Sequence, residues 1–409
     1  MHSNKVFTAL SVSLAAILLT SSGWAATQRP IHNFGLTNTD GQDPQAGLIF
    51  DAAGNLYGTT YSGGSLGFGT VFKMTPNGSG GWTEKVLHNF GIGVMDGKTP
   101  QAPLVLDDSG NLYGTTIDGG TNSVGVVFEM SPNGGGGWTE FKIHNFGNGE
   151  DGSRPEAGLI LDGTGNLYGT THSGGTHSAG TVFELTPNGS GGWTERVLHN
   201  FGADQDDGQD SEGGLIFDSA GNLYGTTVAG GNLGLGTVFE MTPNGSGGWT
   251  EKVLHNFGHG EDGNSPQGLS LIFDGAGNLY GTTNTGGMNN AGTVFEMSPN
   301  GSGGWFEKTL HFFGNGNDGM GPTSSLIFDA NGNLYGTTLE GGTNGAGVVF
   351  EMMPNGSGGW TEIVLHNFGA GDDGAFPQAG VILDGAGNLY GTTGAGGIQS
   401  DGTVFEVTP

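Results

Sequence analysis

The chain has 409 residues, of which 88 are glycine, none is cysteine and only 12% are charged. The glycines keep no every-third-residue period, which excludes collagen, and an apolar fraction of 34% argues against disorder. A formal charge of −29 makes nucleic acid and anionic membrane surfaces poor partners, because both are recognised through clustered Lys and Arg. A cationic ligand, calcium or a neutral sugar is compatible with that charge, and so is a simple role in solubility.

Residues 1–25 read as a signal peptide: Lys5, an apolar stretch from Ala9 to Leu19, then Gly23-Trp24-Ala25 as a small-x-small cleavage site. The apolar run is too short to span a membrane comfortably, and no cysteine follows it to carry a lipid. The expectation is an exported, soluble protein beginning at Ala26, extracellular or periplasmic, with residues 26–409 forming one domain without disulfides.

The segment Asn-Leu-Tyr-Gly-Thr-Thr occurs seven times, with its tyrosine at Tyr57, Tyr113, Tyr168, Tyr224, Tyr280, Tyr335 and Tyr390. Taken in chain order, one copy runs as follows. Leu48-Ile49-Phe50-Asp51 meets a turn at Gly54-Asn55. Leu56 to Thr60 follows, then a Gly63-Gly64 loop and Gly69-Thr70-Val71-Phe72. Pro76-Asn77-Gly78 turns the chain into Trp82 to Phe90, and an Asp96-Gly97 loop starts the next copy. Short β-branched and aromatic runs bounded by Gly, Pro, Asn and Asp predict four strands per copy, here a to d, each of about 4 to 9 residues.

Four strands repeated seven times predict an all-β fold: a seven-bladed β-propeller of four-stranded antiparallel blades. A β-solenoid also stacks short strands. The chain ends argue for the ring. The last copy stops at Thr408-Pro409 after strand c, while Thr27 to Phe34 aligns with the strand-d segment Thr83 to Phe90. The N-terminal strand is therefore expected to complete the last blade and remove the open edges. Pro30 fits there only on an outer strand, where a missing backbone donor is tolerated. Strand d, with Glu84 beside Lys85, is expected to be the wet outer strand, and apolar strand a the inner one.

The pattern D-x-x-G-N-L-Y-G-T-T, followed by G-G, G-T-V-F and H-N-F, resembles the GloVer repeat of secreted bacterial proteins over essentially the whole mature chain. The resemblance implies export, often with a C-terminal surface anchor. This chain ends at Pro409 with no such segment, so a surface-attached role is not expected. No catalytic residues come with the resemblance.

Alternating strand direction puts the d-to-a and b-to-c loops on one face. The d-to-a loops carry Asp40, Asp96, Asp151, Asp207, Asp262, Asp318 and Asp373, one per blade, each before a glycine. Further acids surround them: Asp43, Glu150, Glu156, Asp204, Asp206, Asp210, Glu212, Glu261 and Asp372. One reading makes the seven a ligand-binding acidic rim; the other makes each a turn residue bonded to its own backbone. The run from Asp204 through Asp206, Asp207 and Asp210 to Glu212 resembles a calcium loop, with glycine where the third ligand should stand. The expectation is no cofactor, with calcium as the alternative.

His32, His88, His144, His199, His255, His311 and His366 recur in strand d and are expected to bridge blades by hydrogen bonds rather than share a metal. His172 and His177 stand unrepeated in one b-to-c loop, a weak metal signal. Trp82, Trp138, Trp193, Trp249, Trp305 and Trp360 open strand d, suited to sugar stacking or, preferably, to plugging the gap between blades.

Catalysis would need the sevenfold symmetry broken, since acid and base require different environments. Arg154, His172, His177, Lys98, His259 and the Asp204–Glu212 loop are the candidates, and no nucleophile–base pairing or phosphate loop stands among them. The expectation is a secreted, monomeric, non-catalytic binding or scaffold protein, its glycan or protein ligand on the acidic loop face or at the channel mouth. A polysaccharide lyase or glycoside hydrolase and a structural matrix protein are the alternatives.

Overall fold

A computed structural model describes residues 26–245, 247–267 and 270–409; the expected signal peptide lies outside them. The described residues form seven four-stranded antiparallel sheets, each ordered a-b-c-d as in the β-propeller. In the second blade the strands are Val105–Leu106, Leu112–Thr116, Val126–Pro132 and Trp138–Asn145. Strand a pairs over only two residues in each blade, shorter than its apolar run suggests. No helix among the described residues is long and apolar enough to cross a membrane.

The ring closes as expected. Thr27–Asn33 pairs with Thr403–Thr408, from Thr27 opposite Thr408 to Asn33 opposite Thr403. Pro30 sits on this outermost strand, where no further strand needs its missing donor.

The repeated hexapeptide explains the packing. Side chains in a strand alternate between faces. Leu56 therefore faces the preceding blade and Tyr57 the following one, and both are buried because both faces are covered. Each of the seven apolar cores joins two consecutive blades; Leu104, Leu112, Phe128 and Met130 of blade 2 meet Tyr57, Val71 and Phe90 of blade 1. The first threonine crosses the same seam: Thr59 Oγ1 donates to the Ala102 carbonyl and, at the closure, Thr392 Oγ1 to that of Ala46. The second threonine bonds within its blade, Thr60 Oγ1 lying 2.9 Å from Thr70 Oγ1.

Asn55 completes the a-to-b turn. Asp51 accepts from the Asn55 amide and side chain and from the Tyr57 hydroxyl. Burial alone would raise the Asp51 carboxyl, but these donors hold it below its usual value. The tryptophans plug the seams, with Trp138 edge-on to Tyr57 at 6.0 Å. Strand d is not uniformly wet: Glu84 turns into a seam while Lys85 is exposed and donates to the Gly136 carbonyl of the next blade.

Sequence patterning does not show one feature, a second set of seven two-stranded ladders on the loop face. Gly41–Gln42 pairs with Ser62–Gly63, and each later blade repeats the pairing. These ladders tie every d-to-a loop to the b-to-c loop of the same blade.

Candidate functional site

The seven repeated aspartates do not form a rim of free carboxylates. Asp40, Asp96, Asp151, Asp207, Asp262 and Asp318 are buried, and Asp373 is partly so. Each accepts a nearby backbone amide, as Asp96 does from Ile92 at 2.7 Å and Asp373 from Gly369 at 2.9 Å. Each also faces the repeated histidine, His311 Nε2 lying 2.9 Å from Asp318 and His366 Nε2 3.0 Å from Asp373. A glutamate from strand d of the next blade joins them, giving clusters such as His32–Asp40–Glu84 and His199–Asp207–Glu251. Burial pushes Glu84, Glu251 and Glu362 up to about 7. At the seam of His366 the aligned residue is Gln28, and burial lowers that histidine despite the raising effect of Asp373. The clusters sit at the blade seams; the expected histidine hydrogen bond forms in five of the seven, while His32–Asp40 and His88–Asp96 stand at 3.5 and 3.6 Å.

The calcium-loop residues diverge. Asp204 accepts the amides of Asp206 and Asp207. Asp207 belongs to the His199 cluster, while Glu212 stands with Glu156 and His172. The backbone of Asp210 is left-handed, with its amide on the Ala179 carbonyl. Five acids close in sequence thus make different contacts.

What converges is a ring that the sequence reading did not single out. Gln45, Gln101, Glu156, Glu212, Gln267, Thr323 and Gln378, one per blade at equivalent positions, line a cavity of about 190 Å³ together with Leu339. Two further positions contact the ring residues, as Asp43 does Gln45, Arg154 Glu156 and Asn284 Gln267. Residues 43, 99, 154, 210, 265, 321 and 376 all have φ between 52° and 62°, although only one of them, Gly321, is a glycine. Thr99 and Phe376 are costly side chains for that region. Each is pinned at both ends: the Arg154 amide donates to Val124 and its carbonyl accepts from His172. The other position follows the Thr-Thr pair, occupied by Tyr61, Ile117, His172, Val228, Asn284, Leu339 and Gly394.

Blades 3 and 4 break the symmetry of the ring. Arg154 donates from Nε and Nη2 to Glu156 Oε1, at 3.1 and 2.9 Å. Gln267 donates to Glu212 Oε2 at 3.0 Å and is itself held by Asn284. His172 Nδ1 lies 3.5 Å from Glu212 Oε1. Burial raises the Glu212 carboxyl, and the charge of Glu156 adds to it, against the lowering effects of His172 and Gln267. Of the expected symmetry-breaking residues, Arg154, His172 and Glu212 meet here. His177 and His259 are exposed, and Lys98 covers the ring of Phe68.

At blade 7 Gly394 lines a groove beside the ring. This groove of about 500 Å³ shares Gln45, Gln378 and Leu339 with the ring and adds Gln42, Asp43, Phe376 and Asp401. Gln42 bonds Asp401 and Gln45 bonds Asp43. Burial, and then Asp401, raise the Asp43 carboxyl, while Gln45 lowers it. Phe376 is 40% exposed.

Fold and ring define a seven-bladed β-propeller with a polar channel mouth. The sequence signature of the Gloeobacter/Verrucomicrobia repeat matches residues 19–142, 135–314 and 234–409, and the chain belongs to that family. No curated protein matches it. Among solved structures it is similar to a gluconolactonase from Xanthomonas campestris, at 14% identity and TM-score 0.46 over 78% of this chain and 87% of that one. A protein of unknown function from Dyadobacter fermentans matches at 12% identity and TM-score 0.46, over 94% and 98%. A puromycin-hydrolyzing peptidase from Mycobacterium tuberculosis matches at 10% identity and TM-score 0.48, over 81% and 46%. Likenesses this distant carry no functional argument for this chain.

Proposed function

We propose that the protein is a secreted, non-catalytic binding module that takes a neutral, hydroxyl-rich ligand, a glycan, at the channel mouth of the loop face. The observation that carries this reading is where the seven copies differ. Asn-Leu-Tyr-Gly-Thr-Thr repeats unchanged, whereas the three positions around the mouth differ between blades. The scaffold is constant and the mouth is diversified, which is the arrangement of a site grafted on a fold.

Ligand chemistry follows from the ring. Four glutamines and a threonine each donate and accept, which matches hydroxyl groups. The groove beside them offers Phe376 as an apolar face for a sugar ring. The net charge of −29 disfavours a polyanionic ligand. Export rests on the pattern of residues 1–25.

The test is retention of residues 26–409 on a polysaccharide panel, with new chain ends monitored in the same tubes. Retention that falls at least tenfold in Phe376→Ala and Gln378→Ala supports the reading. No retention on any polysaccharide would overturn it. New chain ends would overturn the non-catalytic part and make Glu156 and Glu212 the suspects.

A further inference from the structure

We infer that Glu156, His172 and Glu212 form a divalent-metal site of the zinc class at the channel mouth, three protein ligands with one coordination position left to the channel. One ligand atom from each lies within 4.8 Å of the other two. Imidazole with two carboxylates suits zinc better than calcium, which takes oxygen ligands.

Geometry supports the assignment. His172 Nδ1 is buried without a hydrogen-bond partner, 3.5 Å from Glu212 Oε1. That separation is long for a hydrogen bond. It matches the edge of a tetrahedron around zinc, where metal–ligand bonds of about 2.0–2.1 Å place ligand atoms about 3.3–3.4 Å apart. The outer partners are in place as well. Arg154 holds Glu156 by Oε1, and Gln267, fixed by Asn284, holds Glu212 by Oε2, leaving Oε1 towards His172. Such partners orient metal ligands and fix which oxygen is presented. Both glutamates line the open cavity, so an ion has an entry path.

The repeated clusters at the blade seams hold a loop aspartate where this one holds a second glutamate. In five seams the histidine closes directly on the aspartate at 2.9–3.2 Å. At His32–Asp40 and His88–Asp96 the separations are 3.5 and 3.6 Å and the histidine Nε2 is also without a hydrogen-bond partner. In every seam, however, the aspartate is already committed to backbone amides. Histidine occurs after Thr-Thr only in blade 3, and carboxylates occupy the ring only in blades 3 and 4. A histidine with two carboxylates at the channel mouth is therefore a property of these two blades.

The experiment titrates chelator-stripped residues 26–409 with zinc by calorimetry and, separately, with calcium. The expected result is one zinc per chain, bound at least tenfold more tightly than calcium. Affinity should fall at least tenfold in His172→Ala and in Glu212→Gln. His177→Ala, an exposed histidine of the same loop, should bind as the parent does. Equal melting temperatures of the metal-free variants confirm that folding is intact, and zinc should raise the melting temperature of the parent but not of His172→Ala. Absence of binding, undiminished binding in both site variants, equal loss in His177→Ala, or a preference for calcium would each overturn the assignment. The titration reads neither glycan retention nor chain cleavage, so it stands or falls apart from the proposed binding function.

Discussion

Arg29 of the N-terminal strand donates to Glu406 of the C-terminal strand from both Nε and Nη2, at 2.9 and 2.6 Å on the same carboxylate oxygen. The pair joins residues 377 apart in sequence at the point where the ring closes. Glu406 is buried and Arg29 half exposed, so removing the arginine leaves a poorly solvated carboxylate. Arg29→Ala should lower stability by about 1–2 kcal/mol, with the exposed arginine limiting the loss. Lys85→Ala, on an equivalent strand with its amine on the Gly136 carbonyl, should change stability by no more than about 0.5 kcal/mol. Chemical denaturation checks both, and equal losses would deny the closure pair its special role.

Deleting residues 26–33 removes the outer strand of the last blade and exposes the Thr403–Thr408 edge. An open edge pairs with other chains. The truncated protein should elute as dimers and larger species in size-exclusion chromatography, while the parent elutes as a single chain. A well-behaved truncated monomer would show that closure by this strand is dispensable.

The glycine inside the hexapeptide is required by close packing. A Cβ at Gly169 would lie 2.7 Å from Phe183 Cζ and 2.9 Å from Leu159 Cδ2. Gly169→Ala should therefore destabilise by about 1–3 kcal/mol through overpacking. Gly78→Ala meets no atom within 4 Å and should act only through its positive φ, at about 1 kcal/mol. Thermal melts of the two variants should rank in that order.

Stability should depend on pH in an unusual direction. Burial raises Glu84, Glu251 and Glu362 to about 7, so the folded state holds protons that the unfolded chain releases near 4.5. Their contribution is fully present below about 4.5 and is lost as pH rises through 7. Opposing this, Asp51, Asp162, Asp274, Asp329 and Asp384 are held low by turn hydrogen bonds that outweigh burial. Their contribution is lost as pH falls below the ordinary aspartate range. The melting temperature should peak near pH 4–5 and decline towards pH 8. Replacing all three glutamates by glutamine, as Gln28 already stands at the seventh seam, should flatten that decline. A melting temperature that rises steadily from pH 5 to pH 8 would contradict the argument.

The tryptophans should prove structural. Trp138 packs edge-on against Tyr57 between two blades. Trp138→Ala should cost about 2–3 kcal/mol of stability and leave retention on polysaccharide unchanged. Lost retention in a variant that still melts cooperatively would return the sugar-stacking reading.

The sequence by itself determined the blades and their number, because both depend on short-range chemistry repeated at one period. Asp51, Gly54 and Asn55 make a local turn, and alternation in Leu56 and Tyr57 commits both faces to burial. Even ring closure was legible, since Thr27–Asn33 carries the missing strand in its own residues. The repeated aspartates were open to two readings because a carboxylate beside glycine can hold a turn or hold a ligand, and only burial separates the two. The channel mouth was decided by tertiary structure alone. Glu156, Glu212 and Gln267 follow one another at intervals of 56 and 55 residues, and no local pattern gives a reason for them to meet. A ring brings equivalent positions of successive blades to a common axis. Variation between copies therefore becomes, after folding, variation around one cavity.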